Sequence, residues 1–361
     1  MNPALITCDL WEAVTGEHVS LFDMQRIVDN PVLSKEQVKA EEILELSRDR
    51  NGSRQLQKVI EEGTEKERSE IFNSIIPYII ELSLDPCANF VIQKLFDFAT
   101  EKQIQTLYLS IIDHVPEIID VSSGCRIVQR LVESTKIYQY SQLFQAIFPF
   151  FVPLCISQNG NHVIHSLVTS YKRFGIEIIQ ILSSNFMIIV VDGNGCRIIQ
   201  KVFEEYSPDE LRPLIDVVIQ NSVFLATNQF GNYIVQNIVR IGKLNDINRV
   251  LTLFKDHLFE FSIHKFASNV IEKFIRGVDH DEKMRIFDEV IGTGGNYNYD
   301  RIISLSGDQY GNYVIQRVLD FGNESQQKAI YVAVSSAYDS LFARGFSKHV
   351  LMKLQNMGFR F

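Results

Sequence analysis

One short segment returns eight times along this 361-residue chain, almost always 36 residues after its previous appearance. The copies read NGSRQLQK at 51–58, PCANFVIQK at 86–94, SGCRIVQR at 123–130 and NGNHVIHS at 159–166. Four more follow as NGCRIIQK at 194–201, FGNYIVQN at 230–237, FASNVIEK at 266–273 and YGNYVIQR at 310–317. With Ser53 as the first anchor, the others fall at Asn89, Cys125, Asn161, Cys196, Asn232, Ser268 and Asn312, in steps of 36, 36, 36, 35, 36, 36 and 44 residues. A fixed period of this size marks units that are too small to fold alone and must stack on their neighbours. A degenerate ninth copy, FSKHVLMK at 346–353, lies 36 residues beyond the eighth, where a capping unit belongs.

The length alone would suggest two or three domains, but the repeat argues for one continuous domain. Each anchor follows a very small residue: Gly52, Ala88, Gly124, Gly160, Gly195, Gly231, Ala267 or Gly311. Apolar residues stand two, three and six positions after the anchor, as in Val91, Ile92 and Leu95, which is the buried stripe of an amphipathic helix. Only Gln55 in the first copy interrupts it. A second apolar helical stretch lies upstream, such as ERSEIFNSIIPYIIELSL at 67–84, so each repeat is expected to be a helical hairpin and the whole an all-α superhelix. The expected divisions are a cap over 1–27, repeats over 28–63, 64–99, 100–135, 136–171, 172–206, 207–242, 243–278 and 279–322, and a cap over 323–361.

Three positions per repeat stand outside the apolar stripe and share one helix face: the anchor and the residues one and four places after it. The second row reads Arg54, Phe90, Arg126, His162, Arg197, Tyr233, Asn269 and Tyr313, nearly all flat side chains on which a base could stack. The third row reads Gln57, Gln93, Gln129, His165, Gln200, Gln236, Glu272 and Gln316. Amides donate and accept at once, so Asn with Gln can match the acceptor–donor–acceptor edge of uracil. Adenine needs one acceptor and one donor, which Gln supplies while Ser or Cys leaves room. Guanine presents two adjacent donors, and Glu272 is the one carboxylate in the row. The rows have the form of a code for single-stranded bases.

On these eight copies the chain resembles, over essentially its whole length, the Pumilio/FBF (PUF) family, in which each helical repeat reads one base. The resemblance implies a right-handed α-solenoid superhelix forming a single Pumilio homology domain, eight repeats with a cap at each end. It implies RNA running antiparallel to the protein, with repeat 8 at the 5′ end. Asn312 with Gln316 would read U, Ser268 with Glu272 G, Asn232 with Gln236 U, and Cys196 with Gln200 A. Asn161 faces a fifth base that is U or unspecified, because His165 replaces the family's usual Gln. Cys125 with Gln129 would read A, Asn89 with Gln93 U, and Ser53 with Gln57 A. The element expected is 5′-UGUANAUA-3′ in the 3′ untranslated regions of messengers, with lowered translation or stability as the outcome.

Asn or Ser near a helix start is commonly an N-cap, but capping does not explain Cys at two anchors or Gln four residues after six of the eight. The residue after the third row is basic in six repeats, namely Lys58, Lys94, Arg130, Lys201, Lys273 and Arg317. Solvated charge is one reading of these six. Phosphate proximity is the other, and would explain how a chain of formal charge −9 attracts RNA. His114, His257, His264 and His280 lie off the code and carry no assignment. Eight extra residues between repeats 7 and 8, centred on GTGGNYNYD at 292–300, form an exposed loop. The family uses this loop and the convex face for protein effectors, which would include deadenylase machinery, and Tyr297 and Tyr299 are candidate contacts.

Five cysteines at scattered positions argue against a disulfide framework and for a reducing compartment. No Cys/His spacing suits a metal, no basic region opens a signal peptide, and no apolar run reaches a membrane span. A cytoplasmic monomer without cofactor or membrane association is expected. No nucleophile–base pair or phosphate cradle suggests an enzyme. Two rivals remain: a protein–protein scaffold, which has no reason to keep amides and planar groups in register, and a PUF-like nucleolar factor in ribosome assembly, whose members tend to lose the ordered code.

Overall fold

The computed structural model describes residues 35–136, 139–293, 296–343 and 345–361, with side chains from residue 39 onward. The expected cap over 1–27 lies outside the described residues. The anchors sit on helices Arg50–Glu62, Ala88–Phe98, Ser122–Ser134, Asn161–Ser170, Gly193–Glu205, Gly231–Ile241, Ala267–Gly277 and Gly311–Phe321. The ninth copy is also helical, over Lys348–Asn356.

These helices form because the stripe read from the sequence has a core to face. Val91, Ile92, Leu95, Ile127, Val128 and Leu131 are buried, as are Ile198, Ile199, Val202, Val314, Ile315 and Val318. Each such side chain contributes about 1.5–3 kcal/mol when withdrawn from water. Gln55, the interruption, is exposed.

The upstream arm differs from expectation, because it is two helices rather than one. In repeat 2, Glu65–Ile75 gives way to a 3-10 turn at Ile76–Tyr78 and then to Ile79–Leu84. Pro77 supplies the reason, since proline lacks a donor N–H and crowds the preceding turn. Pro149 stands in the corresponding turn, Phe148–Phe150, of repeat 4. Repeats 5 and 6 break instead at Asn185 and Asn221, whose side-chain amides donate to the carbonyls of Ile181 and Val217 at 2.9 and 2.8 Å. Repeats 2 to 8 therefore each contribute an outer helix, a short connecting helix and the anchor helix, whereas in repeat 1 the single helix Lys35–Arg48 leads directly to the anchor helix.

The insertion in repeat 8 occupies this same break. Gly292–Thr293 pairs antiparallel with Asn296–Tyr297, and Gly292 turns the chain at a φ of 94°, where a Cβ would be strained. The Tyr297 hydroxyl is bonded to Ser325 Oγ at 2.9 Å, whereas the Tyr299 ring is exposed.

The described residues fall into two compact units, divided between Ile147 and Phe148. In the first, the anchor helices of repeats 1, 2 and 3 pack in chain order. In the second, those of repeats 4 to 8 do the same, and Lys348–Asn356 packs on the last. Among the described residues no helix is long and apolar enough to cross a membrane.

Candidate nucleic-acid interface

The anchors are not N-caps. The backbone N–H of every anchor already donates to the carbonyl four residues earlier, as in Ser53 to Asp49 at 2.8 Å and Cys196 to Asp192 at 2.8 Å. Capping falls to that earlier residue. Asp49 Oδ1 accepts from Asn51 and Gly52, Asp192 from Asn194 and Gly195, and Asp308 from Tyr310 and Gly311, all at 2.7–2.9 Å. Asp85, Asn228 and Ser157 play the same part in repeats 2, 6 and 4. In repeat 7 it is Nδ1 of His264, accepting from Phe266 and Ala267, so this histidine has a structural task that the sequence reading left unassigned. Sequence reasoning missed this row, although the signal was present as Asp, Asn, Ser or His at a fixed offset. Repeat 3 has Val121 there and no side-chain cap.

Freed from capping, the anchor side chains organise the third row. In the Asn repeats, the amide nitrogens of Asn89, Asn232 and Asn312 donate back to carbonyls in the preceding turn at 2.8–3.0 Å. Their Oδ1 atoms accept from Nε2 of Gln93, Gln236 and Gln316 at 2.8, 3.2 and 3.0 Å. Each Gln is thereby held by one hydrogen, leaving Oε1 and the second N–H without a bond among the described residues. Gln57 bonds Ser53 Oγ at 3.2 Å, and Gln200 reaches Cys196 Sγ at 3.3 Å. Burial holds the Cys125 thiol at about 11 and also raises that of Cys196, so both anchors are neutral thiols that occupy little space.

Repeats 3, 4 and 7 depart from this pattern, and in repeat 7 no bond joins Ser268 to Glu272 among the described residues. In repeat 3, Gln129 turns away from Cys125, donating to Glu133 at 2.9 Å and accepting from Arg126 at 3.2 Å. In repeat 4, Asn161 is only half-buried and His165 is exposed, whereas the other seven anchors are buried. Asn161 still donates to Ser157 and Gln158, but among the described residues no bond joins it to His165.

The second row stands in solvent. Phe90, Tyr233 and Tyr313 are 52%, 55% and 46% exposed, so they are not core aromatics. Arg54, Arg197 and Asn269 are exposed too, and Arg126 and His162 are half-buried. Glu272 is half-buried between two guanidinium groups, 3.6 Å from Arg276 and 3.5 Å from Arg317. Burial raises its pKa above the ordinary carboxylate value, against the opposing pull of Arg317 and Arg276.

The basic row is more heavily engaged than the sequence suggests. Lys94 meets Glu61 at 2.8 Å, Arg130 meets Asp97 at 3.2 Å, and Lys201 meets Glu205 at 2.8 Å. Arg317 meets Asp320 at 2.8 Å, and Lys58 lies 3.6 Å from Glu62. Lys273 alone of the six has no acidic partner among the described residues. Among the described residues no cluster of His, Cys, Asp and Glu could hold a metal ion.

Known proteins share this fold. Residues 5–294 match the family model of the NOP9-like PUF repeat domain, and residues 301–335 match the Pumilio-family RNA binding repeat. The chain is 32% identical over 158 residues to Pumilio homology domain family member 4 of Saccharomyces cerevisiae, covering 43% of this chain and 17% of that protein. It is 29% identical over 168 residues to Pumilio homolog 12 of Arabidopsis thaliana, covering 46% and 27%. The matched stretches thus span less than a third of either curated relative. Among solved structures, PUF-8 in complex with PBE-RNA superposes with a TM-score of 0.76 at 28% identity, over 90% of this chain and 95% of that one. The Puf4 RNA binding domain bound to an HO endonuclease 3′ UTR recognition sequence gives 0.70 at 30% identity, over 81% and 91%.

Proposed function

Because this chain belongs to the Pumilio (PUF) family of RNA-binding repeat proteins, we propose that it binds single-stranded RNA one base per repeat and recognises 5′-UGUANAUA-3′. The observation that carries this reading is the amide pairing at Asn89–Gln93, Asn232–Gln236 and Asn312–Gln316, which fixes one hydrogen of each Gln and leaves base-facing groups unspent. Amides and planar groups kept at fixed positions of the repeat are of no use to a protein scaffold. Messenger 3′ untranslated regions are the targets and lowered translation or stability the outcome, in the cytoplasm and with effector proteins on other surfaces.

Repeat 4 is the least selective position. His165 is shorter than Gln, exposed and unlinked to its anchor, so nothing holds it against a base edge. The test is selection of bound RNA from a random pool. UGUA followed by a tolerant fifth base and then AUA is expected, and an enriched pool lacking UGU would overturn the element.

The NOP9-like description of the model matching residues 5–294 favours a second reading, a PUF-like nucleolar factor in ribosome assembly. Crosslinking in cells separates the two, since the first requires messenger RNA and the second ribosomal precursor RNA.

A further inference from the structure

We propose that Arg240, Lys273 and Arg276 form a phosphate-binding cluster that grips the RNA at repeats 6 to 8, and that Lys58, Lys94, Arg130 and Lys201 of the basic row are spent on acidic side chains. The proposal rests on the RNA-binding reading above for its ligand and strand direction.

A ladder of charges shows where cations are neutralised. The residue five places after an anchor meets the residue eight places after the previous anchor: Lys94 pairs with Glu61, Arg130 with Asp97, and Lys353 with Asp320. In the first unit these eighth-place residues are acids, so the basic row is cancelled there. In repeats 6 and 7 the same place holds Arg240 and Arg276. By repeat position Arg240 and Lys273 stand where Glu61 and Lys94 stand in the first unit, with the Arg240 guanidinium turned back to the Phe203 carbonyl of repeat 5, and Arg276 and Arg317 share Glu272. The anchor helices of repeats 6 and 7 approach closely, because a Cβ on Gly277 would lie 2.1 Å from Val239 Cγ1.

Like charges in neighbouring positions cost stability unless something anionic answers them. Within the protein little does. Arg240 is exposed and, among the described residues, bonds only the carbonyl of Phe203 and the side chain of Asn237, both neutral. Lys273 is exposed without an acidic partner among the described residues. Arg276 stands a loose 3.6 Å from Glu272. A phosphodiester backbone is the anion that fits a row of cations at successive repeats.

The cluster also resolves a conflict at Glu272. A carboxylate that reads guanine must sit close to a polyanion, and field repulsion opposes that. Flanking it with Arg276 and Arg317 offsets the repulsion at the repeat that needs it most. With repeat 8 at the 5′ end, the gripped segment is the UGU trinucleotide.

The test is the salt dependence of binding to an eight-nucleotide UGUAUAUA RNA and to oligo(U) of equal length. Arg240→Gln, Lys273→Gln and Arg276→Gln should each flatten the slope of log K against log salt by about 0.7, as expected for one lost single-strand phosphate contact. Phosphate contacts ignore sequence, so flattening on oligo(U) supports the cluster even where a preference for UGU fails to appear. Unaltered slopes on both RNAs would overturn it. A second measurement uses the unsubstituted protein with methylphosphonate linkages in the RNA. Neutralising the first three linkages should flatten the slope, and neutralising the last three should leave it. Equal flattening from both ends would overturn the localisation.

Discussion

Glu272 has its pKa raised by burial, and that perturbation bears on recognition. Guanine's two donors favour the carboxylate, so protonation opposes binding. Affinity for the G-containing RNA should therefore fall on acidification from a pH above the ordinary Glu range near 4.3. A carboxyl whose folded pKa is raised destabilises the fold at neutral pH, and the penalty is relieved as pH falls through that value. Weaker binding without unfolding is the expected signature, followed by fluorescence anisotropy beside circular dichroism. Glu272→Gln should remove this pH dependence, cost roughly 1–3 kcal/mol for the G-containing RNA and relax the preference at the second base. Competition against A, C and U at that base checks it, and undiminished discrimination would refute the role. Tyr233→Ala should instead cost on the order of 1–3 kcal/mol with base preference intact, because stacking tolerates any base. An unchanged affinity with a collapsed melting temperature would return Tyr233 to the core.

At the scale of the helix, the small residue before each anchor is a steric requirement of differing strictness. A Cβ on Gly195 would lie 2.2 Å from the Ile189 carbonyl oxygen, a backbone atom that cannot rotate away. Gly195→Ala should destabilise by about 1–3 kcal/mol through overpacking, despite the roughly 1 kcal/mol that Ala gains over Gly in a helix. Repeat 2 carries Ala88 at this place, buried without conflict, so Ala88→Gly should cost only about 0.5–1 kcal/mol. Thermal melts of the two variants distinguish a steric limit from a helix-propensity effect.

Across the molecule, a residue other than the anchor caps the helix in seven of the eight repeats, so the proposed base-facing residues can be exchanged without loss of a cap. Asn228 caps repeat 6 through Phe230 and Gly231 at 2.9 Å, so its helix start does not depend on Asn232. Asn232→Ser together with Gln236→Glu should convert the third base preference from U to G and leave the other positions as they were. Losing the Asn232 bonds to Asn228 and Gln229 costs on the order of 1 kcal/mol of stability. Selection with the double variant reads the outcome, and a change at any other base would show that the repeats do not read independently.

The sequence by itself determined the period, the buried stripe at Val91, Ile92 and Leu95 and their equivalents, and the face carrying Phe90, Tyr233 and Tyr313. Those follow from helical geometry within one short segment, where spacing alone fixes which residues share a side. The break at Pro77 was missed although a proline inside an apolar run signals it, and its counterparts Asn185 and Asn221 carry no such signal. An asparagine fits a helix as well as its end, and here the end is fixed by side-chain bonds to the Ile181 and Val217 carbonyls. Tertiary structure alone decided which charges are free. Lys94 and Lys273 occupy the same repeat position, yet one faces Glu61 and the other stands in register with Arg240. That difference lies in the neighbouring repeat, more than thirty residues away, and only stacking brings the two rows into contact.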